Sequence, residues 1–172
     1  MATVSTTNKI KNTYQETWIR QVGNNVIRGE NNMTLSMNEA IQLILDFRYI
    51  LVGYWKDIPI EDPLICQFIK EGYATLDLER QEKYVLNDAG TDFLHVYIKQ
   101  ISTAFIEFIE KKRLCCFDSD GICWFSDKYN LDNEMAESLY DYITYNLEIY
   151  GYKRQRFHQT DFGWGYDFEK VI

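Results

Sequence analysis

The stretch from Asp62 to Ile109 carries the clearest start and stop signals in the sequence, and they predict a helix, a tight hairpin and a long helix. Asp62-Pro63 is typical of a helix start, because aspartate caps free backbone N–H groups and proline fits the first helical position. Gly72 suits the left-handed conformation that ends many helices. From Ala74 to Leu86, apolar and polar residues alternate on both sides of the polar triplet 80–82. This pattern predicts two antiparallel strands of about five residues each.

Asn87 is a predicted cap for a second, much longer helix. Apolar residues then recur every three or four positions as far as the basic run 111–113: Leu94, Tyr97, Ile98, Ile101, Phe105, Phe108 and Ile109. Cations at that end complement the helix dipole. The sequence therefore predicts a long central helix with one continuous apolar side.

The region before Asp62 contains one clear helix signal and one ambiguous segment. Ser36 and Glu39 form a capping box ahead of an apolar stripe that reaches about Trp55, and the residue before Pro59 is disfavoured in a helix. The segment Tyr14–Gly29 fits either a short helix ending near Gly23 or a hairpin with its turn at Gly23-Asn24. Residues 1–12 are polar and small, which is typical of a flexible arm.

The region after the long helix is predicted to be hairpin, helix, hairpin. Arg113 to Ser126 indicates a second hairpin with Asp120-Gly121 as its turn, which would bury both apolar faces. Asp132 or Asn133 then caps a helix that runs to Tyr150 and ends at Gly151. Tyr152 to Phe168 is a third hairpin candidate, with Trp164, Tyr166 and Phe168 alternating along its second strand.

The stretch from Leu64 to Leu94 resembles the winged-helix superfamily of helix-turn-helix domains. The resemblance lies in the helix that stops at Glu71-Gly72, the two-stranded hairpin after it, and a line of the family type Tyr-x-Leu-Thr-x-x-Gly-x-x-Phe-Leu, which spans 84–94 here. It implies a recognition helix at Pro63–Glu71 and a wing at Tyr73–Leu86. For a DNA reader, that helix offers only Gln67 and Lys70.

These patterns predict an α+β fold in three parts. They are a flexible N-terminal arm (1–12), a winged-helix-like helical region (13–112), and an α+β subdomain packed on the long helix (113–172). A chain of 172 residues is long enough to bury a core without disulfides.

Charge and composition narrow the classes of partner. The net charge is −8, and residues 31–110 hold 13 acidic against 6 basic residues, so the middle of the chain repels nucleic-acid phosphates and anionic lipid. No apolar run is long enough for a membrane span and no signal peptide begins the chain, so we expect a cytoplasmic protein. Its four cysteines are then expected to be reduced thiols.

Motifs that could carry chemistry are weak. Cys115, Cys116 and Cys123 lack the paired spacing and fourth ligand of a zinc site, and the acidic run before Gly121 lacks the later ligands of a calcium loop. His95 has only Asp92 as a candidate partner on its helix. We therefore expect no metal, no cofactor and no catalytic residue, although an enzyme with an unrecognised pocket is a third hypothesis.

The most suggestive polar segment is Tyr152–His158. In a regular strand, Tyr152, Arg154, Arg156 and His158 would emerge on one face as a row of cations. Such a row could hold a phosphate, an RNA strand or a carboxylate-rich partner, or it could pair across the hairpin with Asp167 and Glu169. The sequence leaves both interpretations open.

Aromatic residues make up 16% of the chain, and their surplus in the last third predicts a contact surface. The leading hypothesis is a protein that binds another protein stoichiometrically, such as an inhibitor, an immunity-type protein or an adaptor, with a partner that has a basic surface. The predicted partner-binding residues are Tyr140, Tyr145, Tyr152, Arg154, Arg156, Trp164 and Tyr166. The alternative is a winged-helix DNA-binding transcriptional regulator.

Overall fold

The computed structural model describes residues 33–51, 61–77, 83–160 and 163–171, and the described residues form an α+β fold. The predicted arm at 1–12, the ambiguous segment at 14–29 and the end of the first helix near Pro59 lie outside these ranges. In chain order the elements are α1 (Met37–Leu51), α2 (Pro63–Lys70), β1 (Ala74–Asp77), β2 (Lys83–Leu86), α3 (Asp88–Lys111), β3 (Cys115–Phe117), α4 (Asp118–Tyr129), α5 (Asn133–Asn146), a 3₁₀ turn (Leu147–Tyr150), β4 (Tyr152–Thr160) and β5 (Gly163–Lys170).

The predicted capping box at the start of α1 is confirmed. The backbone N–H of Ser36 donates to Glu39 Oε2 at 2.7 Å, and the N–H of Glu39 donates back to Ser36 Oγ at 3.3 Å. A hydrogen bond from the Ser36 hydroxyl to Glu39 Oε2, and then the one from the Ser36 N–H, hold the pKa of Glu39 below its ordinary value. The helix that follows buries Ile41, Ile44 and Phe47 in the core.

The predicted order of helix, hairpin and long helix is also confirmed. Asp62 Oδ1 accepts the N–H of Leu64 at 2.8 Å, and Gly72 ends the helix with φ +82. Strands β1 and β2 pair antiparallel with Ala74 opposite Leu86 and Asp77 opposite Lys83. Asn87 then caps α3 through the N–H of Gly90 at 2.9 Å. Local capping and alternation were sufficient to specify this region.

Helix α3 is the element around which the core forms. It buries an apolar side at the predicted spacing: Leu94, Ile98, Ile101, Phe105 and Ile109. The buried residues of the earlier and later elements belong to the same hydrophobic cluster, so Phe47 and Phe68 share a core with Phe125 and Leu139. Residues 33–172 accordingly make up one compact unit.

The chain leaves α3 through two residues in the left-handed region. Arg113 has φ 58 and Leu114 has φ 62, a conformation that costs free energy for residues with a Cβ. The turn brings the Leu114 carbonyl to the backbone N–H of Phe168, which donates to it at 2.8 Å. It thereby directs β3 onto β5.

The second hairpin predicted for Arg113–Ser126 is wrong. Only Cys115–Phe117 is a strand, and it pairs with β5 in a three-stranded sheet of order β3-β5-β4. Asp118 begins a helix, so Asp120-Gly121 lies in its first turns and not in a hairpin turn. The acidic residues suit the positive end of the helix dipole, and Gly121 is buried against the next helix. Strand β3 thus pairs with β5, which is distant in sequence, and not with the adjacent segment that was expected to complete a hairpin.

The last helix and hairpin match their predicted positions. Asp132 Oδ1 caps α5 by accepting the N–H of Met135 at 2.8 Å, and Gly151 ends the following 3₁₀ turn with φ +83. Strands β4 and β5 pair antiparallel from Tyr152 opposite Lys170 to Thr160 opposite Gly163.

Among the described residues, no helix combines the length and the apolar character that crossing a membrane would require.

Candidate functional site

The register of β4 changes where the sequence predicted a regular strand. Arg154 lies opposite Phe168 but Arg156 lies opposite Asp167, so Gln155 is an extra residue in a β-bulge. Because Phe168 and Asp167 are adjacent on β5, positions 154 and 156 belong to opposite faces of the sheet. The predicted single row of Tyr152, Arg154, Arg156 and His158 is therefore wrong.

Arg154 is held between two tyrosine rings. Its guanidinium carbon lies 4.1 Å from the ring centroid of Tyr145 and 3.9 Å from that of Tyr166. Tyr145, on α5, is 71% exposed, whereas Tyr166, on β5, is half-buried. Tyr145 is thus the ring toward solvent, and the two rings fix a flexible cation by cation–π contact.

Aromatic residues continue from this stack along β5. Trp164, Tyr166 and Phe168 lie on the same face of the strand, because side chains alternate. Phe168 is buried, Tyr166 is half-buried and Trp164 is 46% exposed, so the row emerges from the core toward the end of the hairpin. We call Tyr145, Arg154, Tyr166 and Trp164 the aromatic strip.

A shallow cleft of about 200 Å³ adjoins the strip where α5 meets β4. Besides Tyr145 and Arg154, its lining residues are Thr144, Glu148 and Lys153. Lys153 Nζ lies 4.0 Å from Glu148 Oε1, and both side chains are exposed, so this ion pair contributes little stability. The sequence prediction omitted these three residues. The left-handed Gly151 was the available signal, because it folds the residues after it back against those before it.

Several acidic side chains lie near the aromatic strip. Asp141 is exposed on α5, and desolvation, Glu137 and Asp118 raise its pKa, while Arg154 and Arg48 act in the opposite direction. Arg154 also counteracts the rise that burial produces in the pKa of Tyr166. The site therefore combines one stacked cation with an acidic setting.

Two of the predicted partner-binding tyrosines belong to the interior instead. Tyr140 is 1% exposed, and its hydroxyl donates to Asp118 Oδ1 at 2.8 Å. Tyr152 is 9% exposed, and its hydroxyl donates to Glu110 Oε1, which also receives Lys170 Nζ at 2.8 Å. Both residues lie at positions where helical or strand alternation turns the side chain inward, so neither offers an anchoring surface.

Arg156 is described through its backbone alone. The register sets Arg156 opposite Asp167, as the cross-strand interpretation requires, whereas Glu169 lies opposite Lys153, which was not part of the predicted row. Of the seven predicted residues, Tyr145, Arg154, Trp164 and Tyr166 are brought together in the aromatic strip.

The cysteines do not form a cluster with metal-ligand geometry among the described residues. All four are free thiols; Cys116 is buried, and burial raises its pKa to about 12. The prediction that Cys123 lies in a buried hairpin is wrong, because it is exposed on α4; Cys66 is exposed on α2. Comparison of the chain with protein-family models, with curated proteins and with solved structures gives no match.

Proposed function

We propose that this protein acts by stoichiometric binding of another protein, as an inhibitor, an immunity-type protein or an adaptor in the cytoplasm. The observation that carries the proposal is the aromatic strip, in which Arg154 contacts the rings of Tyr145 and Tyr166, and Tyr145 and Trp164 are exposed. Tyrosine, tryptophan and arginine are the residues that most often dominate the free energy of protein association.

The helix and strand that carry the aromatic strip make it suitable for binding another protein. Tyr145 projects from α5, whose opposite side is buried through Leu139 and Ile143, and Tyr166 and Trp164 project from a paired strand. Anchors on rigid elements lose little conformational entropy when a partner docks. Stacking of Arg154 lowers that cost further, since its guanidinium is already oriented.

The charge around the strip indicates the kind of partner. Exposed acids recur at helical spacing along α5 and into the 3₁₀ turn after it, on the same side as Tyr145: Glu134, Glu137, Asp141 and Glu148. Desolvation is the largest cause of the raised pKa of Asp141, and repulsion by Glu137 on the same helix adds to it. A partner with a basic surface would relieve this repulsion and would associate faster through electrostatic steering.

A DNA-binding regulator of the winged-helix type is the second candidate. The order of α2, the β1–β2 hairpin and α3 is the observation that favours it. The exposed side of α2 includes Gln67 and Lys70 but also Cys66, which leaves few groups for reading bases or phosphates. This candidate predicts affinity for a DNA duplex that falls steeply as salt rises.

Affinity capture followed by binding measurements tests the first proposal. The immobilised full-length chain is exposed to lysate of its source, retained proteins are identified by mass spectrometry, and the enriched protein is purified for calorimetry. We expect a 1:1 complex that Tyr145→Ala and Trp164→Ala each weaken by about 2 kcal/mol or more, whereas Val96→Ala, at an exposed position on α3, leaves it unchanged.

Three outcomes would contradict the proposal. They are capture of no protein above background, a complex indifferent to both aromatic substitutions, and salt-sensitive binding of duplex DNA that neither substitution weakens. The last of these would favour the regulator.

A further inference from the structure

Arg154 contains a buried donor that the protein does not use. Its Nη1 atom is shielded from solvent and finds no hydrogen-bond acceptor within the part of the chain that the structure describes. A buried donor left without an acceptor destabilises the unbound protein. The rings of Tyr145 and Tyr166, whose centroids lie 4.1 and 3.9 Å from the guanidinium carbon, restrict the directions from which a ligand group can approach it.

The cleft that Arg154 lines limits the size of the ligand group. Its volume, about 200 Å³, suits the end of one side chain and is smaller than typical pockets for cofactors or drug-sized ligands. Lys153 and Arg154 bring two positive charges to it, and Glu148 brings one negative charge. Because the Lys153–Glu148 pair is exposed and long, at 4.0 Å, Lys153 can turn toward an incoming anion at small cost.

We infer that this cleft receives the carboxylate of a glutamate or aspartate side chain from the bound protein. The inference rests on the proposed function and specifies the chemistry of its partner at one position. A planar carboxylate matches the fork of donors along a guanidinium edge, and it would supply the acceptor that Nη1 lacks. Tyr145, the outer ring, is 71% exposed, and no described residue packs on its solvent side. The ring can therefore shift to admit the group.

The surrounding charges favour a carboxylate over a phosphate. Asp118, Asp141 and Glu148 lie close enough to the stack or its cleft to influence it, and a divalent anion would meet about twice the repulsion of a monovalent one. A partner that is basic overall can still present one acidic side chain at its centre. The acids of α5 would then steer the partner, and Arg154 would select the correct docking register.

Nuclear magnetic resonance of the full-length chain tests the inference without the partner. The probe is the peptide acetyl-Gly-Glu-Gly-amide, compared with its glutamine counterpart and with inorganic phosphate, while the backbone amide resonances of Tyr145 and Lys153, which line the cleft, are followed. We expect a saturable shift with the glutamate peptide and about tenfold weaker binding of the glutamine peptide, a difference of 1.4 kcal/mol. Arg154→Gln should abolish the response and Arg154→Lys should weaken it, because lysine keeps the charge but loses the fork.

Lys128→Gln provides the matched control. Lys128 lies 5.4 Å from the ring centroid of Trp124 on α4, so the variant removes another cation that contacts an aromatic ring. It should leave the response intact. Thermal unfolding of Arg154→Gln and Arg154→Lys tests whether the variants fold. If Arg154→Gln does not fold, the response of Arg154→Lys is compared with that of the wild type instead.

Equal binding of the glutamate and glutamine peptides, tighter binding of phosphate, or a response that persists in Arg154→Gln would overturn the inference. Partner capture separates this failure from failure of the proposed function. If Arg154→Gln retains the partner at full affinity while Tyr145→Ala loses it, protein binding stands and the carboxylate subsite is wrong.

Discussion

Gly121 lies directly against the ring of Tyr140, and a Cβ built at position 121 would come within 2.3 Å of Tyr140 Cε2. Gly121 is in α4 and Tyr140 is in α5, so the absence of a side chain on one helix allows the aromatic ring of the other to enter the core. This contact explains two differences from the sequence predictions. The glycine is a packing position and not a hairpin turn, and the tyrosine is a core residue and not a partner-binding anchor.

We predict that Gly121→Ala destabilises the fold by about 1–3 kcal/mol, since the added methyl group overpacks the interface with Tyr140. Urea unfolding followed by circular dichroism measures the loss. Ser119→Ala, an exposed change in the same helix, should shift the free energy of unfolding by less than about 0.5 kcal/mol. An unchanged midpoint for Gly121→Ala would show that α4 and α5 pack differently from the contact described.

Tyr140→Phe isolates the hydroxyl that donates to Asp118 Oδ1 at 2.8 Å. We expect a loss of about 1–2 kcal/mol, because the acceptor is a carboxylate that is only partly exposed to solvent. The measurement is again chemical denaturation, with Tyr145→Phe as the matched control at an exposed tyrosine on the same helix. Equal, small effects of the two substitutions would contradict a contribution from this hydrogen bond.

The pH dependence of stability should contain a contribution from His95. Burial lowers its pKa to about 4 in the folded chain, against 6.5 for an unperturbed histidine. The unfolded state therefore binds the proton first, so stability is lost as pH falls from about 6.5 to 4, by up to ~3 kcal/mol, and the loss is complete below that range. Asp92, three residues earlier, acts in the opposite direction because desolvation and Asp88 raise its pKa.

Urea unfolding of the wild type and of His95→Gln at pH 7 and pH 5 measures the histidine contribution. The wild type should lose more stability than the variant over this interval, and Asp92 cancels because it is present in both. Identical pH slopes would mean that His95 is protonated equally in the folded and unfolded states.

Relief of the left-handed backbone at the end of α3 should stabilise the chain. Arg113 is exposed and has φ 58, a conformation that glycine adopts without the Cβ penalty. We expect Arg113→Gly to raise the free energy of unfolding by about 0.5–1 kcal/mol and Arg113→Val to lower it. Thermal unfolding provides the comparison. Lys111→Gly removes a cation two residues earlier, inside the helix, and should instead destabilise by about 0.5–1 kcal/mol.

Local signals were sufficient for most elements of the fold. The Ser36–Glu39 box, the caps at Asp62, Asn87 and Asp132, and the stops at Gly72 and Gly151 all act within a few residues, and each was predicted correctly. Spacing also identified the buried side of α3. These features depend on backbone groups and side chains that are neighbours in the sequence, so they can be read without knowledge of the tertiary contacts.

Contacts between distant segments determined the rest. Cys115–Phe117 is a strand because β5, about fifty residues later, pairs with it. Asp118 then begins a helix, and its carboxylate accepts the hydrogen bond from the Tyr140 hydroxyl. One extra residue at Gln155 placed positions 154 and 156 on opposite faces. Arg154 consequently met Tyr145 and Tyr166 from two other elements. Composition indicated that the last third of the chain would present aromatic residues. The packing of α5 on β4 and β5 determined which of them reach solvent, because the burial of a side chain depends on which element packs against it.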